Sequence, residues 1–421
     1  MNRPRADHLL SVADAAARIV EAVRPLGHER LPLLEAAGRV LAHDAIAGVT
    51  LPPWDNSAMD GYALRGADIT SVPTTLRVIE CVAAGRFPTR VLGPGEATQI
   101  MTGAPVPAGA DTVVRVEDTD GGTSRVEIRD ARDARKNVRP RGEDIFAGTV
   151  AIAAGTTLGA AQVGVLAAVG AAEVSVHRAP RVAILTSGDE LVELDRFAEV
   201  QAGRKIVSSN SYTLRTLVRE AGGEPVYLGI AADTKDSLRA HLERAAGCDM
   251  LLTSAGVSVG EFDYVRTVLQ ELGAEMKFWR VRMRPGAPIG FGLLGGSGIP
   301  WIGLPGNPVS TMVTFELFAR AAIRKLRGHT RLFRRPVPVV LEEPVATGLE
   351  LTHFLRATLT RYPSHIGARL TGPQGSGILT SMSRANALLI VPADRTHVGA
   401  GETLHALPLG EDAELAVDFA L

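Results

Sequence analysis

RVAILTSGDE, residues 181–190, decides the fold of this 421-residue chain. Its apolar first part, 181–186, is typical of a buried strand, and polar residues around Gly188 follow it. Similar apolar runs recur at 226–230, 249–253 and 299–304, with helical patterns at 210–221, 235–246, 264–272 and 309–326. Strands that alternate with helices of this length indicate βαβ units. We therefore predict a doubly wound α/β domain with a parallel sheet.

The segments that flank this domain predict further parts. Helical patterns occur at 9–26, where Ser11 is a candidate cap, and at 159–169. Short β-like runs lie between these helices, and others follow a basic, proline-containing linker at 327–338. We expect a discontinuous helical, elongated module (1–44 with 146–178), an inserted β domain (45–145), the α/β domain (179–328) and a C-terminal β-barrel (334–421).

Composition limits the classes of partner. The formal net charge is −1, so no overall field steers the chain to nucleic acid or to an anionic membrane. Cys81 and Cys248 are the only cysteines, which argues against a disulfide framework or a cysteine zinc site and fits the reducing cytoplasm. The N-terminus does not resemble a secretory signal. Polar residues interrupt the apolar stretch 150–176, so no membrane span is expected.

Three glycine-containing loops follow strands of the predicted sheet, at 186–190, 253–260 and 304–308. Ligands of open parallel sheets bind beyond the carboxyl ends of the strands, where glycines let backbone N–H groups approach an anion. Each loop alone is also compatible with a simple turn. Three at one edge favour a site for a phosphate-bearing ligand, and no dinucleotide or P-loop motif accompanies them.

Charged residues cluster in the same region. Carboxylates follow the strands at Asp189, Glu190, Asp233, Glu261 and Asp263. One or two carboxylates, together with phosphate oxygens, are enough to hold Mg²⁺, although surface solvation is the alternative explanation.

A basic run lies nearby. Arg280, Arg282 and Arg284 alternate along a β-like segment, so all three are expected on one face. Such a face suits a phosphate or a tetrahedral oxyanion, and a charged edge strand is the alternative.

A second group of polar loops lies in the predicted β domain. The loop 52–62 places Asp55, Asn56, Ser57 and Asp60 within six positions, more than turn formation explains. The spacing does not fit an EF-hand. Two more polar loops, 100–105 and 141–144, belong to the same domain. The sequence therefore predicts a second set of functional residues, facing a cleft beside the α/β domain.

With these motifs, the sequence resembles the molybdopterin molybdenumtransferase family, whose animal relative is the C-terminal part of gephyrin. The similarity spans nearly the whole chain in order. It is carried by residues 52–62, 101–105, 142–145, 186–191, 254–264, 284–288, 304–310, 353–357 and 374–381. The resemblance implies four domains and an elongated homodimer, with a site shared between the α/β domain of one subunit and the β domain of the other.

The family's reaction is also implied by the resemblance. Its substrate is molybdopterin that carries AMP, and the enzyme cleaves the phosphoanhydride and places molybdate on the dithiolene with a divalent ion, Mg²⁺. The implied catalytic residues are Asp60, Thr102, Asp144, Glu190 and Asp263, with Glu190 and Asp263 as metal ligands. The implied substrate-binding residues are Ser187, Gly188, Asp233, Gly256, Ser258, Arg280, Arg284, Pro305, Pro308, Arg356 and Ser376. Contacts with the adenylyltransferase and with apo-molybdoenzymes are further expectations.

The sequence departs from the family at a few positions. Arg280, Arg284 and Ala287 occupy a segment where relatives commonly carry lysines, and Ala255 stands where glycine is usual. Two other functions stay open at this point. One is the preceding adenylylation of molybdopterin, whose enzyme shares the α/β domain but would not need the loop 52–62. The other is a non-catalytic, gephyrin-like scaffold, which would not need the acidic residues.

Overall fold

The computed structural model describes residues 9–255, 264–295, 298–348 and 350–410. They form two compact units, one made of Met1–Glu29 with His177–Leu421 and the other of Arg30–Val176. No helix within the described ranges is long and apolar enough to cross a bilayer.

The first helix, α1 (Val12–Ala22), begins as the sequence predicts: the Ser11 side chain accepts a hydrogen bond from the Asp14 N–H. Its buried residues Ala15 and Ile19 share one hydrophobic core with Phe315 and Phe318. Residues 12–22 therefore share the core of the first unit. The helical spacing alone does not reveal which partner a helix packs against. The predicted domain boundaries, including those of the discontinuous module (1–44 with 146–178), stay a prediction.

The second unit, Arg30–Val176, is built around a five-stranded sheet. In spatial order its strands are β7 (Thr112–Arg115), β4 (Gly61–Leu64), β6 (Glu96–Ile100), β5 (Thr74–Val82) and β8 (Arg125–Ile128). Strand β4 is buried along its whole length between two antiparallel neighbours, and Tyr62 pairs with Gln99 on one side and Val114 on the other. A smaller core around Leu41, Leu166 and Val176 contains the helix α2. The elements are β1 His28–Pro32, β2 Ala45–Ile46, β3 Asn56–Ser57, β4 Gly61–Leu64, β5 Thr74–Val82, β6 Glu96–Ile100, β7 Thr112–Arg115, β8 Arg125–Ile128, β9 Val138–Arg139, β10 Val150–Ile152, α2 Ala160–Ala168 and β11 Glu173–His177.

The α/β domain of the first unit contains a six-stranded sheet. In spatial order its strands are β15 (Glu224–Ala231), β12 (Arg181–Ser187), β16 (Met250–Ser254), β20 (Ile299–Leu304), β19 (Gly290–Leu294) and β17 (Glu275–Phe278). Its first four strands are parallel, as predicted, and β19 and β17 extend it as an antiparallel edge. The strands are β12 Arg181–Ser187, β13 Leu191–Val192, β14 Ile206–Val207, β15 Glu224–Ala231, β16 Met250–Ser254, β17 Glu275–Phe278, β18 Met283–Arg284, β19 Gly290–Leu294 and β20 Ile299–Leu304. The helices are α3 Phe197–Gln201, α4 Ser209–Glu220, α5 Lys235–Glu243, α6 Tyr264–Glu271, α7 Pro308–Thr314 and α8 Arg320–Leu326. A π-helical turn, Phe315–Ala319, joins α7 to α8.

The parallel register aligns the carboxyl ends of the four parallel strands. Ser187 pairs with Ala231, Thr186 pairs with Ser254, and Ser254 pairs with Leu304. The loops that follow these strands therefore begin at the same edge, as the sequence predicts.

The C-terminal part of the first unit is the predicted barrel. Its five strands are, in spatial order, β23 (Thr352–Arg361), β24 (Ile366–Leu370), β21 (Val337–Leu341), β27 (Thr403–Pro408) and β25 (Ala387–Val391). The sheet closes into a barrel because β25 also pairs with β23. Strand β18, which precedes the barrel in the chain, pairs with β23 from outside. The elements are β21 Val337–Leu341, β22 Val345–Ala346, β23 Thr352–Arg361, β24 Ile366–Leu370, α9 Leu379–Arg384, β25 Ala387–Val391, β26 His397–Val398 and β27 Thr403–Pro408.

We expect Asp133→Ala to lower the free energy of unfolding of the second unit by about 2 kcal/mol. Asp133 is buried and accepts hydrogen bonds from Nε (2.9 Å) and Nη2 (3.0 Å) of Arg115, which is one-third exposed. Urea unfolding measures the change, and Asp130→Ala, whose side chain in the same loop is half-exposed, is the control.

The same pair predicts a pH dependence. The Arg115 guanidinium holds the pKa of Asp133 below its usual range, so the stabilisation is present above the unfolded-state pKa of about 4. It is lost as the pH falls through the folded-state pKa. A difference between wild type and Asp133→Ala that persists unchanged below both pKa values would contradict this assignment.

Candidate active site

In the second unit, the three predicted polar loops meet. The Ser57 N–H donates to Ala104 O (3.0 Å) and the Gly103 N–H donates to Ser57 O (2.8 Å). On the other side, the Gly142 N–H donates to Pro52 O (2.9 Å), and the Arg141 N–H donates to the Asp55 carboxylate (2.7 Å). The loop 52–62 is thus fixed by backbone hydrogen bonds to both of the other loops.

Asp60 and Thr102 are brought into direct contact. One carboxylate oxygen of Asp60 accepts hydrogen bonds from the Thr102 backbone N–H (2.6 Å) and hydroxyl (2.7 Å). These bonds, the backbone one first, lower the pKa of Asp60. The side chain is exposed, so an ionised carboxylate with a fixed orientation faces solvent. Asp144 is exposed too, in the turn whose backbone is bonded to Leu51.

Gly61, directly after Asp60, allows strand β4 to lie very close to strand β7. A Cβ atom at this position would lie 1.9 Å from the carbonyl oxygen of Val114 on strand β7. Only glycine permits this approach of β4 to its neighbour, and the approach places Asp60 at the end of the sheet.

In the first unit, a cavity of about 440 Å³ opens at the carboxyl ends of the parallel strands. It combines short polar side chains with proline and aliphatic surface. The lining residues are Thr186, Ser187, Glu190, Leu191, Ile206, Val207, Ser208, Ser209, Asn210, Ser254, Ala255, Pro288, Pro305, Gly306, Asn307 and Pro308. We call it the loop cavity, and four predicted residues line it: Ser187, Glu190, Pro305 and Pro308.

The first glycine loop positions the acidic residues beside the loop cavity. The Glu190 carboxylate folds over Gly188, where a Cβ atom would lie 2.7 Å from Glu190 Oε2. Asp189 and Asp233 join two loops: the Asp233 N–H donates to Asp189 Oδ1 (3.1 Å), and the Asp189 N–H donates to Asp233 Oδ2 (3.4 Å). Burial, and then the charges of Asp189 and Glu190, raise the pKa of Asp233. Gly188 and Asp233 therefore support the loop cavity without lining it.

The described parts of the other two glycine loops, Ser254–Ala255 and Pro305–Pro308, also line the loop cavity. Pro308 is the first residue of α7, where its missing N–H costs no hydrogen bond. The carbonyl of Pro305 accepts a hydrogen bond from the Thr311 hydroxyl (2.5 Å). Ala255 has a φ of +78°, a left-handed conformation that costs a residue other than glycine about 1 kcal/mol or more. Glycine, the residue that is usual in the family at position 255, would relieve this strain.

A second cavity, of about 460 Å³, lies against the barrel, and Arg284, Pro285, His353, Arg356, Gln374 and Gly375 are among its lining residues. We call it the barrel cavity. Arg356 is fully buried, yet its hydrogen bonds go to neutral groups, Ser381 Oγ and Gly375 O, both at 3.0 Å. Its Nη1 has no hydrogen-bond partner within the described part of the chain. A buried cation with a free donor favours an anion in this cavity.

Arg284 adds a second positive charge. Strand β18 pairs with β23 so that Arg284 lies opposite His353. Burial lowers the pKa of His353, and the Arg284 charge lowers it further. The His353 ring is therefore neutral, and the guanidinium groups of Arg284 and Arg356 line the same cavity. None of these three side chains carries a negative charge that would repel an oxyanion.

The prediction that Arg280, Arg282 and Arg284 share one face of a strand was wrong. Strand β17 ends at Phe278 and β18 contains only Met283 and Arg284, because a turn closed by the Val281 N–H and Ala287 O interrupts the run. Arg280 lines neither cavity, and its Nε is buried without a partner among the described residues.

Ser376 connects the two cavities. Its carbonyl accepts a hydrogen bond from the Val309 N–H (3.1 Å), directly after Pro308 of the loop cavity. It also follows Gln374 and Gly375 of the barrel cavity. The Ser376 backbone thus links the two segments, and the predicted substrate binding by Ser376 stays a prediction.

Three predicted residues, Gly256, Ser258 and Asp263, lie outside the described residues, so the metal ligand pair of Glu190 and Asp263 stays a prediction. Among the residues that are described, no three acidic, histidine or cysteine side chains form a metal-binding group.

Ser208 to Asn210, at the polar start of α4, also line the loop cavity and were not predicted from the sequence. Four consecutive short polar residues at the start of a helix, 208–211, were the available signal.

Comparisons with known proteins cover the same regions. The family model "MoeA N-terminal region (domain I and II)" matches residues 10–170, "Probable molybdopterin binding domain" matches 183–325, and "MoeA C-terminal region (domain IV)" matches 338–409. The molybdenumtransferase of Nostoc sp. (strain PCC 7120) is 37% identical over 415 residues, covering 95% of this chain and 94% of that protein.

Further relatives agree. Molybdopterin molybdenumtransferase 2 of Mycobacterium tuberculosis is 37% identical, covering 93% of this chain and 97% of that protein. The crystal structure of the molybdopterin biosynthesis MoeA protein from Pyrococcus horikoshii superposes with a TM-score of 0.83 at 29% identity, covering 95% of this chain and all of that one. The chain belongs to the molybdopterin molybdenumtransferase family.

Proposed function

We propose that this chain inserts molybdate into adenylylated molybdopterin, with release of AMP. The observation that carries the proposal is the pair of cavities in one unit. The loop cavity, at the strand ends, suits a nucleotide-bearing ligand, and the barrel cavity is bordered by the buried, uncompensated guanidinium of Arg356, which suits an oxyanion. The hydrogen bond from the Val309 N–H to Ser376 O joins the residue after Pro308 of the loop cavity to the residue after Gly375 of the barrel cavity, and we place the phosphoanhydride and the molybdate on either side of it.

The reaction breaks the phosphoanhydride bond. An oxygen nucleophile, either water or an oxyanion oxygen, bonds to the phosphorus of the pterin's phosphate, the bond from that phosphorus to the bridging oxygen breaks, and AMP leaves with the bridging oxygen. As the two dithiol sulfurs become ligands of molybdenum, one molybdate oxygen leaves as water with the two thiol protons. Such a reaction asks the protein mainly to position the reactants and to stabilise negative charge. Arg356 and Arg284 bind the oxyanion, and Ser187 and the Pro305–Pro308 segment hold the substrate.

The acidic residues fit a divalent cation. Glu190 is the only carboxylate among the described residues that line the loop cavity, and Mg²⁺ needs one or two carboxylates when phosphate oxygens supply the rest. Glu190 and Asp263 would hold the ion, which would neutralise charge on the phosphoanhydride. Asp189 and Asp233 fix the loop that carries Glu190.

Asp60, Thr102 and Asp144 complete the proposed machinery. Asp60 is held ionised by Thr102, so its carboxylate can orient an attacking water molecule. We assign these three residues to the partner subunit of a homodimer, as the family resemblance implies. The two cysteines are free thiols, which fits a cytoplasmic location. The preceding adenylyltransferase and the recipient apo-molybdoenzymes are the proposed partners.

Product analysis tests the proposal directly. Purified protein given adenylylated molybdopterin, Mg²⁺ and molybdate should release AMP, and omission of molybdate or chelation of Mg²⁺ should stop the release. AMP release that does not depend on molybdate would reject the assignment. Formation of adenylylated molybdopterin from ATP would instead identify the preceding enzyme of the pathway.

Arg284→Ala should raise the KM for molybdate about tenfold, because it removes one charged hydrogen-bond donor from the barrel cavity. Arg284→Lys should restore most of the affinity, since lysine keeps the charge. Arg369→Ala is the matched control, because this barrel arginine is largely exposed and paired with Glu342. An unchanged molybdate KM in Arg284→Ala would exclude the cavity as the oxyanion site.

Mixed dimers test the shared site. Asp60→Ala and Glu190→Gln, each inactive alone, should regain about a quarter of wild-type activity when co-expressed, because half of randomly paired dimers have one intact site of two. Glu190→Gln co-expressed with Arg356→Lys should regain nothing, since both changes affect the same unit. Equal activity of the two mixtures would show that Asp60 acts within its own subunit.

A further inference from the structure

Asn210 is a buried side chain that has no role in the function described so far. It is the second residue of α4, borders the loop cavity, and is only 9% exposed. Its Nδ2 donates two hydrogen bonds, to Ser254 Oγ (2.8 Å) and to Gly306 O (2.7 Å). Asn210 therefore ties the start of α4 to the ends of β16 and β20.

These two bonds fix the orientation of the amide. A backbone carbonyl such as Gly306 O can only accept a hydrogen bond, so the amide atom beside it must be the nitrogen. The other amide atom, Oδ1, is then an acceptor, and no donor in the described part of the chain reaches it. A buried acceptor without a partner is unfavourable, so the binding of a donor at this position is favoured.

The surroundings indicate which donor fits. Apolar surface from Leu191, Val207 and Pro305 lines the same cavity, which suits the faces of a planar ring. A donor carried by such a ring is an amino group at its edge. The proposed substrate has two, one on adenine and one on the pterin.

We infer that Asn210 Oδ1 accepts a hydrogen bond from a heterocyclic amino group of the substrate and thereby selects amino-substituted rings. This inference rests on the proposed function, because it assumes that the loop cavity takes one of the two rings of adenylylated molybdopterin. Asn210 is then a specificity-determining residue, separate from the groups assigned to the phosphoanhydride and the oxyanion.

The test pairs each ring with an analogue that lacks only the amino group. Calorimetry on the full chain, without molybdate or Mg²⁺, compares AMP with purine riboside 5′-monophosphate, and pterin with pteridin-4-one. Wild type should prefer the amino form of one pair about tenfold. Asn210→Ala should reduce that preference to about one, while Asn386→Ala, which removes a hydrogen-bonded asparagine of the barrel, should keep it.

The comparison separates recognition from structure. A purely structural Asn210 would weaken both members of a pair equally in the variant, and the preference itself would remain. Three results would each overturn the inference. Wild type could show no preference in either pair, the preference could survive in Asn210→Ala, or AMP and pterin could fail to bind up to millimolar concentration. If Asn210→Ala does not fold, the wild-type preferences decide. The assay does not use molybdate-dependent AMP release, so its failure is distinct from failure of the proposed function.

Discussion

The parallel register around strand β12 is the constraint on which the rest of the first unit depends. Parallel strands need a crossover between each pair, so helices must cover both faces of the sheet. Each of the four parallel strands then ends at the same edge, and its following loop begins there. Ser187 is in register with Ala231, and Thr186, one residue earlier, is in register with Ser254, which pairs with Leu304. The loop cavity is the space between these loops.

The electrostatics of the barrel follow a different principle. A buried guanidinium is normally compensated by a carboxylate, whereas Arg356 is held by a hydroxyl and a carbonyl. Neutral partners fix the orientation of the side chain and leave its charge available. His353 reinforces the arrangement, since its lowered pKa keeps a third positive charge from forming beside Arg284 and Arg356. The protein thus keeps a cationic cavity that a dianion can neutralise.

Local patterns were sufficient to predict much of this architecture. Apolar runs gave the four parallel strands, and the glycines gave the loops of the cavity, because both signals depend on a few neighbouring residues. Arg280 was misplaced because the turn at Val281 and Ala287 interrupts a run that looks continuous.

Long-range packing explains the other misses. The partner of α1 was not predicted because no local signal encodes it. Asn210 escaped notice for the same reason: its two partners lie 44 and 96 residues away. The family resemblance supplied Arg356, whose burial no periodicity reveals.

Strand β18 has a consequence for how this architecture can be divided. Two residues that belong by sequence to the α/β domain, Met283 and Arg284, form an outer strand beside the barrel. The linker at 327–338 therefore marks a boundary along the chain but not in the hydrogen-bonded sheet. A barrel transplanted by itself would leave behind both a strand and one of its two cavity arginines. Recombination between two genes at the linker would thus be selected against unless both genes encoded compatible versions of this short strand. The α/β domain and the barrel are therefore expected to be inherited together.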